Sequence, residues 1–397
     1  MRWLPYVLAA GASVPWLATL GTGEHPADTV VAVMTGVAIL GAAFLLSWAC
    51  EVAEMDVPQA LAVSVLALVA VLPEYAVDAS FAWKAATQPE FANYAIANMT
   101  GGNRILLGGA WTLLAVIGWM RTRQNEIQLP KDMGAEIVIL ILATLYAIVP
   151  VMRGALSLVD TGVYLFLYVI YLIASARAEE HEVELVGPAK ALEQLGTAAR
   201  RLSVLALFLF AAGVIFVSAE PFAESLVHTG KALGIDEFVL VQYVAPLASE
   251  SPEVVVAVLM VLRGHRATGL RTLVSSNVNQ WTLLVGTLAV VYSVASGHAA
   301  ELPFDARQQE EVLLTAAMAF FAVATIADRS FALWQALTLT GLFLVTVLTP
   351  HLHLYVGIAY FVMGVGILVF QPAARRGVVE AFQIFWALLT GRHKHAG

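Results

Sequence analysis

The sequence predicts an all-α protein threaded repeatedly through a membrane, built from two inverted repeats of about five helices with extra helices at both ends. Three observations carry that prediction. Of 397 residues, 60% are hydrophobic and 13% charged, with a mean hydropathy of +0.80; a soluble domain is about half apolar and a quarter charged. The apolar residues fall into about twelve runs, each long enough to cross a bilayer. Two of those runs share an unusual feature, a glutamate placed directly after a proline deep in apolar sequence: Pro73-Glu74 in LVAVLPEYAVDAS and Pro252-Glu253 in LASESPEVVVAV.

The runs lie near residues 5–21, 29–50, 59–83, 92–120, 134–152, 156–176, 202–222, 236–262, 268–294, 311–327, 331–349 and 352–370. The first reads as an extra N-terminal helix (residues 1–28). A cleaved signal peptide is the competing reading, but only Arg2 flanks the run and no clear cleavage site follows it. Residues 29–177 form the first repeat half and 202–349 the second. Between them, 178–201 (AEEHEVELVGPAKALEQLGTAARR) is the longest polar stretch and reads as a partly helical linker. Residues 350–397 supply one more span and a basic tail. That tail, RRGVVEAFQIFWALLTGRHKHAG, is amphipathic and reads as a membrane-surface or regulatory helix, or as a solvated end.

Loop charges orient the spans. With the N-terminus inside, Arg121, Arg123, Lys131, Arg200, Arg201, Arg375 and Arg376 all fall inside, while Lys84, Arg153, Lys231 and Arg307 fall outside. Both termini are then cytoplasmic, in a plasma membrane of bacterial type. The loop before the tenth span, with Glu301, Asp305, Glu310 and Glu311, is acidic and falls outside. The helix of Glu74 runs outward and that of Glu253 inward, as an inverted repeat requires.

Several functions are excluded. A net charge of −8 leaves no basic stripe for nucleic acid. Cys50 is the single cysteine, so no internal disulfide exists. There is no phosphate-binding loop or dinucleotide glycine fingerprint, so no ATP-driven step and no cofactor is expected. No nucleophile–base pair appears inside the spans, which argues against an enzyme. Histidines such as His265, His351 and His353 read as surface residues in loops and tail. The predicted partners are the lipid bilayer and small cations; association with further copies of the chain is left open.

What remains is ion chemistry. A carboxylate at bilayer depth is costly and is retained for ion or proton handling. Two at matching positions in two halves point to a transporter with a midplane site. The proline before each glutamate lacks an N–H, which loosens the helix and frees a carbonyl. Asp78 lies one turn beyond Glu74 on the same face, and Ser249 and Glu250 lie one turn before Glu253. Four acids in one cavity cannot all be ionised at neutral pH without a cation. After each acid-bearing helix comes a second polar segment: Asn98 and Asn103 in YAIANMTGGNRILLGGAW, and Ser275, Ser276, Asn277, Asn279 and Gln280 in RTLVSSNVNQWTLLVGTLAV. Amide and hydroxyl oxygens suit Na+ or Ca2+ without adding charge.

At these residues the chain resembles the calcium/cation antiporter superfamily, the sodium/calcium exchangers and their relatives. That family pairs a Gly-Thr-Ser-x-Pro-Glu motif with a Gly-Ser-Asn-x-x-Asn/Asp motif in each of two inverted repeats. Pro73-Glu74, Pro252-Glu253, Asn103 and Ser276-Asn277 match. The family's Thr-Ser becomes Ala70-Val71 in one copy and Ser249-Glu250 in the other, its last Asn/Asp becomes Leu106 and Gln280, and Gly102 replaces a serine. The resemblance implies a secondary antiporter that moves Ca2+ or a related cation against Na+ or H+ by alternating access. It implies a cation site drawn from Glu74, Asp78, Asn103, Ser249, Glu250, Glu253, Ser276, Asn277 and Gln280. The alternative is a Na+/H+ or other monovalent cation exchanger with an altered site, because Ca2+ takes about six to eight oxygens and the first copy has lost several. Arg104, directly after Asn103, must pair with an acid at that depth; Glu74, Asp78 and Glu250 are the expected partners.

Overall fold

The computed structural model describes residues 2–23, 26–56, 69, 71–178 and 185–391. Ten helical stretches among them are long and apolar enough to cross a membrane, and Leu333–Leu348 is a shorter apolar helix. Residues 59–68 and 70 of the predicted third span, 59–83, lie outside the described residues, and its helix is described from Leu72.

In chain order, α1 (Leu4–Gly11) and α2 (Val14–Thr22) precede α3 (Asp28–Ala53), α4 (Leu72–Ala85) and α5 (Glu90–Arg104). A π-helical turn, Ile105–Ala110, joins α5 to α6 (Trp111–Thr122), followed by β1 (Glu126–Gln128), α7 (Gly134–Tyr146), α8 (Ile148–Arg153), β2 (Ala155–Leu156) and α9 (Leu158–Ser175). After the short α10 (Ala189–Glu193) come α11 (Thr197–Leu233), α12 (Glu237–Leu262) and α13 (Arg266–Asn279). A second π-helical turn, Gln280–Leu284, leads to α14 (Val285–Ser296), β3 (Leu302–Pro303), α15 (Ala306–Ile326), β4 (Ser330–Ala332) and α16 (Leu333–Leu348). α17 (His353–Phe370) and α18 (Pro372–Thr390) close the chain.

Contacts between the two halves come in matching pairs, as inverted repeats require. The long helices α3 and α11 pack on each other; α4 lies against α11 and α12 against α3; α9 packs on α14 and α16 on α6. Thr161 donates to the Gly286 carbonyl at 2.7 Å, joining α9 to α14. Thr112 donates to the Ala336 carbonyl at 2.7 Å, joining α6 to α16 in the equivalent way. The strands repeat the exchange. β1 pairs antiparallel with β4 and β2 with β3, so each two-stranded sheet takes one strand from each half and caps one end of the bundle. Inverted repeats produce this pattern because every connection in one half has its counterpart at the opposite membrane face.

Between the halves, Leu185, Val186, Ala189 and Leu192 are buried, with α10 packed on α3. At the N-terminal end the first helices are fixed to the bundle. The Trp16 indole donates to the Val217 carbonyl at 3.3 Å, and Gly41 lets α3 approach the Ala9 carbonyl, where any side chain would collide.

Two expectations need correction. The tail helix α18 is neither a free surface helix nor a solvated end. Its small face packs on α7, and Gly377 sits so close to the Ala327 carbonyl that a Cβ would not fit. Glu311 does not lie in an outer loop: it is inside α15 and fully buried. The acidic loop therefore ends at the first turn of α15, where Asp305 and Gln308 form a capping box.

Candidate cation site

α4 and α12 carry the acids. α4 begins with Pro73 in its first turn, where the missing N–H costs nothing. Glu74 and Asp78 then share one face of the helix, and both are buried. Ala70 falls outside the described residues. The second copy differs from the expected loosened helix: α12 runs unbroken through Pro246 and Pro252. Its serines turn back onto the helix, Ser249 donating to the Pro246 carbonyl at 3.3 Å and Ser251 to the Leu247 carbonyl. Pro246 leaves the Gln242 carbonyl without its helical N–H donor. Gly101 of α5 presses against that same carbonyl, at a distance no side chain could share.

The structure brings Glu74, Asp78, Glu250 and Glu253 within electrostatic reach of one another. Each has a neutral donor. Asn98 donates to Asp78 at 2.8 Å, Ser276 to Glu253 at 2.5 Å, and Gln280 to Glu250 at 2.6 Å. The same Gln280 amide reaches Glu74 at 3.5 Å, so it stands between the two carboxylates. Asn277 donates to the Asn103 side-chain oxygen at 3.4 Å, joining the two copies, while Asn103 donates to the Met99 carbonyl at 3.0 Å. Ser249 is buried one turn before Glu253. Glu253 alone of the four acids is partly exposed.

Gly102 acquires a reason here. A Cβ at that position would collide with the Glu250 carboxylate. The acid that replaces a hydroxyl in the second copy thus occupies the room that a missing hydroxyl leaves in the first. Buried oxygens without a hydrogen-bond partner remain around these groups: Asp78 Oδ2, Asn98 Oδ1, Glu250 Oε2, Asn277 Oδ1 and Gln280 Oε1. Among the described residues no three His, Cys, Asp or Glu side chains converge tightly enough to hold a metal ion by themselves. A cation here would have to draw on the amides as well as the acids.

Arg104 does not pair with any of the four acids. Its guanidinium lies 2.5 Å from Glu311 of α15, both side chains fully buried. Gln242 donates to the same carboxylate oxygen at 2.9 Å, and His353 Nδ1 lies 3.1 Å from the other. The expectation of a surface histidine fails for His353, which is buried at the start of α17. Sequence reasoning missed this cluster because its members come from four helices far apart in the chain. The clue was Arg104 itself, a buried cation that needed an acid.

The family model described as sodium/calcium exchanger protein matches residues 28–177 and 203–350. The chain belongs to the sodium/calcium exchanger family. The fold of this exchanger is similar to that of the H+/Ca2+ exchanger CAX, with a TM-score of 0.94, 43% sequence identity and 98% of each chain covered. The sodium-calcium exchanger NCX_Mj matches at a TM-score of 0.54 with 18% identity, over 81% of this chain and 98% of its own. YfkE matches at 0.59 with 13% identity, over 90% of this chain and 99% of its own. The last two likenesses show the shared fold. No curated protein matches the chain significantly. The exchanger is a multi-pass membrane protein and a cation antiporter.

Proposed function

We propose that this exchanger carries Ca2+ against protons, at a site built on Glu74 and Glu253 with Asp78, Glu250 and the amides of Asn103, Asn277 and Gln280. The observation that carries the reading is a charge imbalance. Four carboxylates face one region, and no lysine or arginine among the described residues pairs with any of them; the buried arginine beside the motif is committed to Glu311. Such a group is neutralised by protons or by a cation. One divalent ion exchanged for protons satisfies both states, which is the logic of antiport. The 43% identity to CAX, an H+/Ca2+ exchanger, supports the same pair of ions.

The Gln280 amide suits the switch. Its N–H now lies between Glu250 and Glu74 and its oxygen is unpartnered. Rotating the amide would turn that oxygen toward an ion held by the two acids. Ser249 and Ser276 add hydroxyl oxygens at the rim. The β1–β4 end of the bundle is the cytoplasmic one in this reading, since Arg121, Arg123, Lys131 and Arg329 cluster there.

A second reading, exchange of monovalent cations, is favoured by the apolar Val71 and Leu106 and by Gly102, which supply no oxygens where the family motif has them. One experiment separates the two. Purified protein in liposomes is given a pH gradient in Na+-free buffer, with 45Ca2+ and an internal pH dye. Uptake of 45Ca2+ coupled to proton release is the expected result. Ca2+ uptake that requires Na+, or proton flux driven by Na+ or K+ without Ca2+, would overturn it.

A further inference from the structure

We propose that Glu311 and His353 form a second proton site of this exchanger, separate from the four acids and held beside the motif helix by Arg104. The inference goes beyond the cation reading and holds whichever ion is carried.

The argument is one of donors and acceptors. His353 Nε2 lies 3.1 Å from the Thr346 carbonyl of α16. A carbonyl only accepts, so Nε2 carries a hydrogen. The other nitrogen, Nδ1, lies 3.1 Å from Glu311 Oε1. That oxygen has no other hydrogen-bond partner, because Arg104 and Gln242 both address Oε2. If His353 were neutral and Glu311 ionised, two lone pairs would face each other in a buried, water-poor place. A single proton between Nδ1 and Oε1 removes the conflict, whether it is written as imidazolium with carboxylate or as imidazole with carboxylic acid.

The surroundings set the balance. Arg104 from α5 contributes one positive charge and Gln242 from α12 none. Exposed Glu310, on α15 beside Glu311, lines with His353 a cavity of about 230 Å³ that also includes Thr144 of α7 and Phe361 of α17. The other titratable neighbours are Tyr243 of α12 and Tyr360 of α17, with Arg307 at the start of α15. The acid of α7, Glu136, is paired with Arg271 at 3.0 Å and takes no part. The N-terminus of α17 disfavours a cation on its first residue, so the proton is retained there on account of Glu311. Arg104, which holds the other oxygen of Glu311, follows Asn103 directly in the chain, so the motif helix carries the residue that links the two sites. On release, the Nδ1–H bond breaks, its electron pair stays on nitrogen, and the proton leaves toward the β2–β3 end through the side lined by Glu310.

The test uses the full chain in lipid nanodiscs with ¹⁵N-labelled histidine. The His353 signals are assigned by their loss in His353→Gln. In wild type at pH 6 both His353 ring nitrogens should carry a hydrogen, Nε2 toward the Thr346 carbonyl and Nδ1 toward Glu311. Glu311→Gln should strip the Nδ1 hydrogen under conditions where wild type keeps it, because no carboxylate then faces that nitrogen. A bare Nδ1 in wild type at pH 6, or a proton lost at the same pH with and without the Glu311 carboxylate, would overturn the proposal. Thermal stability gives an independent arm and needs no folded Glu311 variant. A proton held more tightly in the folded state stabilises fully below the unfolded value and stops doing so as pH rises through the folded one. The wild-type Tm should therefore exceed that of His353→Gln most at acidic pH, with the gap closing as pH rises; a gap independent of pH counts against the site.

Discussion

The two motif copies start from one pattern and diverge in opposite directions, and in the structure their departures interlock. The first copy loses oxygens: Val71, Gly102 and Leu106 stand where the pattern has side-chain donors. The second gains a carboxylate, Glu250, and keeps an amide, Gln280. Glu250 fills the space over Gly102, and Gln280 spans Glu250 and Glu74. Neither half holds a site alone. In the proposed reading the cation region is one object shared between the repeats, so a loss in one can be made good by a side chain from the other.

The sharpest way to break this comparison is to neutralise one equivalent acid at a time. Glu253→Gln keeps shape and removes charge. Exchange in liposomes should fall by more than about 100-fold, while folding stability stays within about 1 kcal/mol of wild type, as for a substitution that opens no cavity. Glu74→Gln should do the same. If one variant retains transport and the other does not, the two copies are unequal partners; if Glu253→Gln transports normally, Glu253 is no ligand.

A smaller effect tests the interlock itself. Gly102→Ala drives a methyl into the Glu250 carboxylate and should cost about 1–2 kcal/mol, the range for overpacking a tight contact. In a Glu250→Ser background that cost should nearly vanish, since the shorter side chain leaves room. The difference between the two backgrounds, read from denaturation midpoints, is the coupling energy. Equal penalties in both would show that the residues do not meet.

The fold was legible because burial in lipid writes itself into hydropathy: long apolar runs and a doubled Pro-Glu pair define helices and repeat. The helices carrying Glu74, Asp78, Glu250 and Glu253 were legible for the same reason, since charge at bilayer depth stands out. Other features leave no such trace. The π-helical turns at Ile105–Ala110 and Gln280–Leu284 add a residue to a helix turn without changing composition. α18 has the amphipathic pattern of a surface helix, and only its small residues Gly377 and Ala381 hinted at close docking on other helices. The partner of Arg104 was misjudged because Glu74, Asp78 and Glu250, close to it in the motif, looked sufficient. The structure instead draws Glu311 from a helix end that loop-charge counting had placed in water, and His353 from a stretch read as surface.

The smallest expected effect lies at the polar end of α3, where an ion pair joins the first half to the start of α11. Asp56, just past the end of α3, accepts two hydrogen bonds of 2.8 Å from Arg200 near the start of α11. These bonds, with the added pull of Arg201, hold the Asp56 carboxyl below its ordinary value. A carboxyl whose folded value is depressed stabilises the fold above its unfolded value of ~3.9 and ceases to do so as pH falls through the folded one. The pair is solvent-screened, so its contribution is small and salt-sensitive. Arg200→Ala should therefore lower the Tm slightly at pH 7 in dilute buffer, by less at high salt, and not at all once the medium is acid enough to protonate Asp56 in both proteins. Thermal scans of the two proteins across pH and ionic strength measure this directly. A Tm difference that persists in strong acid would mean that Arg200 acts by packing of its stem against α3, and that the halves are joined there by shape instead of charge.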